Sequence, residues 1–205
     1  MAEFESVEAT PRVINVMSSL LQRVAESNDL NFRFDSRKMT ISAFHSLTRP
    51  TISVRRYLER IFRYANCSPS CFVVAYVYLD RFARRQPLLP INSFNVHRLL
   101  ITSVLVSAKF MDDMYYNNAH YAKVGGISTV EMNLLEVDFL FGLGFQLNVT
   151  PDTFHTYCCY LHTEMLTASS LHVASSSAPL TIGRAPVLHC CSNEDESTHH
   201  QQLAV

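Results

Sequence analysis

The sequence predicts an all-α fold, a bundle of five or six helices with an extra helix at each end, and three observations carry that expectation. The stretch Val96 to Asp113, VHRLLITSVLVSAKFMDD, is apolar nearly all round before it ends in charge. A helix with no polar face has no side to offer water and must sit centrally, with other helices packed around it. Thr10-Pro11, Ser68-Pro69 and Thr150-Pro151 each pair an N-cap residue with proline at the first helical position, ahead of an apolar segment. No stretch reads more strongly as strand than as helix.

Taken in order, Val13, Met17, Leu20, Leu21 and Val24 recur at helical spacing after Thr10-Pro11, and this helix should end near Ser27-Asn28-Asp29. Residues 29 to 50 are polar and weakly periodic. Phe32, Phe34, Ile41, Phe44 and Leu47 within them predict a long connector packed down on the bundle. A second helix should start near Thr51 or Ser53, with Val54, Tyr57, Leu58, Ile61, Phe62 and Ala65 on its inner side. Ser68-Pro69 opens CFVVAYVYLDRF. Its valines and tyrosines suit a strand, but the proline-started cap and the length to Arg84 favour a helix. Asn92 or Ser93 should cap the central helix.

Residues 114 to 127 hold about one helical turn before Gly125-Gly126. Ser128-Thr-Val-Glu131 fits a capping box, and the helix it opens turns Met132, Leu135, Phe139 and Leu143 inward and stops at Gly142 and Gly144. The last helix, from Thr150-Pro151, should reach about Leu166. From Thr167 the chain turns Ser- and Ala-rich with little periodicity, which predicts a disordered tail over residues 167–205.

Composition narrows the functions available. At 205 residues and 48% hydrophobic content, the chain can build one real core. A net charge of −1 and a pI near 6.7 offer no electrostatic footprint for nucleic acid or an anionic membrane. The acidic N-terminus lacks the pattern of a secretory signal. The longest apolar run is broken at Lys109, short of the roughly 20 residues a bilayer crossing needs. Six cysteines without such a signal imply free thiols in a reducing compartment. The expected location is the nucleus, the cytoplasm or both, and not outside the cell.

Catalytic patterns are absent: no phosphate-cradling glycine loop and no nucleophile elbow is present. Asp112-Asp113 point about 100° apart on a helix, which suits capping, solvated charge or a partner contact better than acid–base work. His155, Cys159 and His162 share a helical face, with Cys158 beside them. One helix does not normally close four ligands around a zinc ion, so ordinary packing is the stronger reading, and no metal, cofactor or small-molecule substrate is expected. Cys67 and Cys71 flank a helix start, where a thiol pKa can fall, although a buried small hydrophobe is the commoner use. Lys109, at the end of the central helix, reads on its own as a snorkelling side chain.

YLDRF at Tyr78 to Phe82, SAKFMDD at Ser107 to Asp113, and Glu136 ahead of FGLGFQL at Phe141 to Leu147 together resemble the cyclin box. The segment FHSLTRPTISVRRYLERIFRYANCSPSCFVVAYVYLDRF is similar to the plant P-type, or U-type, cyclins, related to the yeast cyclin of phosphate signalling. The resemblance implies a single five-helix cyclin box over residues 51–149. Residues 1–50 then form an N-terminal helix and connector, and residues 150–166 a C-terminal helix. It also implies no enzymatic activity. The chain would be a regulatory subunit that binds and activates a cyclin-dependent kinase, in cell division or phosphate-linked signalling. By motif position Lys109 and Glu136 would reach the kinase backbone near its mobile αC helix, while Phe110, Leu140, Phe145 and Leu147 would be apolar contacts. A cyclin-fold adaptor of the transcription machinery is the alternative, and the lack of a basic surface argues against it.

Overall fold

The computed structural model describes residues 12–34 and 42–171, and these form seven helices. They are α1 (Arg12–Phe34), α2 (Val54–Tyr64), α3 (Pro69–Arg85), α4 (Val96–Met111), α5 (Asn118–Gly125), α6 (Thr129–Leu143) and α7 (Pro151–Leu171). No strand occurs among the described residues. The expected central helix is α4, in which every residue from Leu99 to Ala108 is buried. Its polar members satisfy themselves. Thr102, Ser103 and Ser107 donate their hydroxyls to the carbonyls of Arg98, Leu100 and Val104, one turn back.

The centre holds two helices, however, where the sequence pointed to one. Every residue of α3 from Cys71 to Asp80 is also buried, and α3 packs along α4 as the largest helix pair in the fold. Around this spine α2, α5 and α6 pack on α4, while α1, α6 and α7 pack on α3. The valines and tyrosines of α3 enter a helix because both of its flanks are covered, and burial outweighs their modest intrinsic cost in a helix.

Several boundaries differ from the sequence reading, each because tertiary contacts supply what local chemistry lacks. Helix α1 runs on to Phe34 where a stop near Asp29 was expected. Asn28 donates to the Ile91 carbonyl at 2.8 Å, and Asp29 accepts from the Ser93 amide and hydroxyl at 3.0 and 2.5 Å, so the polar end is held in helical form. Ser93 is so engaged, and Asn95 takes the N-cap position ahead of Val96, not Asn92 or Ser93. The Asn95 side chain accepts from the Asn92 amide and donates to the Pro90 carbonyl, closing the preceding turn. Helix α5 makes about two turns where one was expected, capped by Asn117 and by left-handed Gly126.

Ser128 caps α6 as expected by accepting from the Glu131 amide. Glu131 does not complete the capping box, because its carboxylate pairs with Arg98 at 2.6 Å. Gly144 ends α6 in the left-handed region, whereas Gly142 lies inside the helix. In the connector Phe44 is buried edge-on to Phe82 and Phe139, but Leu47 is exposed. Helix α7 continues through residues 167–171, which were expected to belong to the tail. The rest of that tail, the Thr10-Pro11 cap, Ile41 and the side chains of Phe32 and Phe34 lie outside the described residues.

Helix α7 is joined to the spine through aromatic and charged groups. The Tyr76 ring stacks on Tyr160 and meets Tyr157 edge-on. The Tyr157 hydroxyl donates to Asp80 Oδ2 at 2.5 Å, and the Arg84 guanidinium reaches the same oxygen at 2.6 Å. Burial pushes the Asp80 carboxyl above the usual range, and Tyr157, Arg84 and Arg81 only partly offset it.

Two outcomes are expected. A Cβ at Gly142 would stand 2.2 Å from the Phe82 ring, which cannot withdraw because it stacks on Phe139 with centroids 4.9 Å apart. Gly142→Ala should therefore cost about 1–3 kcal/mol in urea unfolding. For Asp80 the folded pKa lies above the unfolded one, so its contribution is largest below the unfolded value and is lost as pH rises through the folded value. Urea midpoints across a pH series should show the balance between parent and Asp80→Asn shifting towards the variant as pH rises above about 4. A pH-independent difference would contradict the assignment.

Candidate functional site

Helix α6 and the segment after it link the three sequence motifs, since Glu136 meets Lys109 of α4 and Gln146 to Asn148 meet Tyr78 and Arg81 of α3. Lys109 occupies the last turn of α4, and its ammonium lies 2.6 Å from Glu136 Oε1 on α6. Glu136 Oε2 accepts from Asn118 Nδ2 at 2.7 Å, and the same Asn118 nitrogen reaches Asn133 Oδ1 at 2.8 Å. Three helices thus fix one carboxylate. The side chains of Lys109 and Glu136 retain 29% and 15% of their exposure, enough for a partner to reach both. An ammonium carries three donors and a carboxylate several lone pairs, so their mutual bond leaves each with capacity to spare.

The apolar residues divide into two kinds. Phe110 and Phe145 are 49% and 57% exposed. Leu140 and Leu147 are half-buried and rest on the core. Phe145 sits at φ 57°, left-handed backbone that a bulky residue rarely adopts. The conformation persists because α3 clamps the residues that follow. Tyr78 donates to the Leu147 carbonyl at 2.7 Å, and Arg81 donates to the carbonyls of Gln146 and Asn148 at 2.9 Å each. YLDRF therefore supports FGLGFQL directly, and the clamp presents the Phe145 ring at the surface, edge-on to Phe141.

Asp112 and Asp113 separate in role. Asp112 caps α4 and accepts from the Ser68 amide at 3.0 Å. Partial burial opposes its ionisation, but the bonds from Ser68 and Cys71 together outweigh that and hold the carboxyl below the usual range. Asp113 is exposed. On α7, His155 Nε2 lies 3.5 Å from Cys159 Sγ. Cys158 and His162 instead line an apolar cavity of about 350 Å³ with Val13, Val16 and Val73. Among the described residues no group of three or more His, Cys, Asp or Glu side chains is placed to hold a metal ion, and no helix is long and apolar enough to cross a membrane.

Sequence reasoning missed Asn118, whose contact with Glu136 spans two helices and leaves no local pattern. It also missed the outward stripe of α6, where Val130, Leu134, Val137 and Phe141 are exposed. Their i, i+4, i+7, i+11 spacing was a visible signal, hidden by the equally apolar inward stripe.

The sequence profile of the family described as Cyclin matches residues 8–147. The chain belongs to the cyclin family. It is 62% identical to cyclin-U4-1 of Arabidopsis thaliana over the whole of both chains. It is 56% identical to cyclin-P4-1 of Oryza sativa subsp. japonica, over 96% of this chain and 90% of that one. With cyclin-U4-2 of Arabidopsis thaliana it shares 66% identity over 78% of this chain and 74% of the relative. This is a plant P/U-type cyclin, all-α as the resemblance implied, and its family supports a regulatory role without catalysis of its own.

In this cyclin the Lys109–Glu136 pair is half-shielded, between the regime of exposed ion pairs and that of fully buried ones. A double-mutant cycle with Lys109→Met and Glu136→Gln, read by urea unfolding, should return a coupling of about 1 kcal/mol. Additive effects of the two substitutions would mean that the pair does not act as a unit.

Proposed function

We propose that this cyclin binds and activates a cyclin-dependent serine/threonine kinase, in cell division or phosphate-linked signalling and in the nucleus, the cytoplasm or both. The face built from Lys109, Glu136, Phe110, Leu140, Phe145 and Leu147 is the binding surface. One observation carries the reading: a charged pair already locked at 2.6 Å and steadied by Asn118, with exposed phenylalanines in the two motifs that supply it.

The physical logic follows from what kinase activation requires. A kinase works only when its αC helix brings a glutamate to the catalytic lysine and its activation loop is ordered. A rigid face that grips αC biases that equilibrium through differential contacts with the active arrangement. The Lys109 ammonium donates to backbone carbonyls of the kinase, and the Glu136 carboxylate accepts from its amides. These charge-assisted bonds fix orientation, while Phe110 and Phe145 supply apolar burial and Leu140 and Leu147 the floor beneath them. Because the pair is held before the partner arrives, little ordering entropy remains to be lost on binding.

The test is affinity purification of the tagged cyclin from plant cells, with identification of the recovered kinase and assay of histone phosphorylation. Lys109→Ala and Glu136→Ala should each weaken association by about 2–5 kcal/mol while circular dichroism stays helical. Undiminished kinase recovery by both variants would refute this interface.

A further inference from the structure

Helix α2 breaks local rules that the other helices keep. Its sequence, VRRYLERIFRY, sets four arginines against one glutamate and places no acid in the first turn. Arg56, Arg60 and Arg63 recur at i, i+4 and i+7, so they form one stripe about 10 Å long. Like charges at that spacing weaken a helix. Arg56 is the least favourable of the three. Ser53 caps α2 by accepting from the Arg56 amide, which makes residue 56 the position where a capping box carries glutamate. A cation there also opposes the helix dipole. Glutamate at 56 would complete the cap, suit the dipole and pair with Arg60, and yet the sequence has arginine.

The fold makes little use of these charges. Glu59, the acid of α2, is taken by Arg55 at 3.0 Å. Arg56 and Arg63 are exposed and meet no acid among the described residues. Arg60 is held in place: its Nη2 donates to the Lys123 carbonyl near the end of α5 at 3.0 Å. Its guanidinium lies over left-handed Gly126, with Nη2 3.7 Å from where a Cβ would stand. That bond uses one of five N–H groups. It also brings α5 alongside, and Lys123, exposed and likewise without an acid, joins the stripe.

We propose that Arg56, Arg60 and Arg63, flanked by Lys123, form a docking surface for a phosphorylated segment of a partner protein, recognised through phosphoserine or phosphothreonine. A phosphate carries close to two negative charges and three acceptor oxygens. The guanidinium fork meets it with two parallel bonds, where lysine offers only a point charge. Bound phosphate also removes the repulsion along α2, so the charges that weaken the free helix favour the complex. Local rules give way in this manner where a surface serves binding.

The length of the stripe selects the class of partner. About 10 Å of helix spans one or two phosphates. Double-stranded DNA presents a charge every ~1.7 Å and rewards a long basic track, and the chain's net charge of −1 works against such a polyanion. The surface lies on α2 and the C-terminal end of α5, whereas the proposed kinase face lies on α4, α6 and the segment after α6. The two readings therefore stand or fall separately.

The test uses the full chain with no kinase present. The probe is a fluorescein-labelled glycine-rich peptide with two phosphoserines three residues apart, followed by fluorescence anisotropy at low salt. It should bind, its unphosphorylated form should not, and affinity should fall as salt screens the contact. Arg56→Glu and Arg63→Glu should each weaken binding by about tenfold or more. Arg60→Lys, which keeps the charge and loses the fork, should weaken it as well. Thermal unfolding separates docking from folding: Arg56→Glu should have a higher Tm than the parent, because it completes the capping box with Ser53. A lower Tm would show that Arg56 serves the fold and would overturn the assignment. So would failure of the parent to bind the phosphopeptide, unchanged affinity in the Arg56→Glu/Arg63→Glu double variant, or equal or tighter binding of an aspartate peptide or a short oligothymidylate.

Discussion

Two helices without a polar face, lying along each other, set the terms for everything else in this cyclin. Neither α3 nor α4 can meet water along its middle, so five further helices are required to cover them. Each apolar side chain fully buried in that spine contributes about 1.5–3 kcal/mol. The cover is close enough to dictate residue size: Gly142 of α6 stands where any side chain would meet Phe82. Most polar groups in the spine have partners, as the self-bonded hydroxyls of α4 and the Tyr157–Arg84 support of Asp80 Oδ2 illustrate, while the Tyr76 hydroxyl and Asp80 Oδ1 are buried without one.

The proposed partner face is a product of that packing. Lys109, Asn118 and Glu136 come from three helices, and none would hold its place if those helices were not fixed on the spine. Phe145 shows the same dependence in its backbone. Its left-handed conformation is unfavourable by itself and persists because Tyr78 and Arg81 of α3 bind the carbonyls just beyond it. Rigidity at this face suits the proposed kinase binding, in which the partner is the element that changes shape.

The start of α3 and the end of α4 share a boundary at Ser68 and Asp112, where a backbone amide meets a capping carboxylate. That boundary lies one turn from Lys109.

What the sequence determined by itself was set by local rules: helix periodicity, the serine and proline caps, and the apolar character of Val96–Ala108, which made the all-α bundle and its central α4 readable. The motif order also pointed to the family and to Lys109 and Glu136, whose contact the structure then made explicit. Tertiary structure alone decided features in which distant residues meet. The extension of α1 past Asp29 needs Ile91 and Ser93, the start of α4 at Asn95 needs the Pro90 turn, and Glu131 forsakes its own cap because Arg98 lies opposite. Asn118 entered the site for the same reason, since a hydrogen bond between two helices has no period and leaves no mark on either strand of sequence. Local patterns say which face of a helix must be buried; which polar groups then face one another depends on how the buried faces fit together.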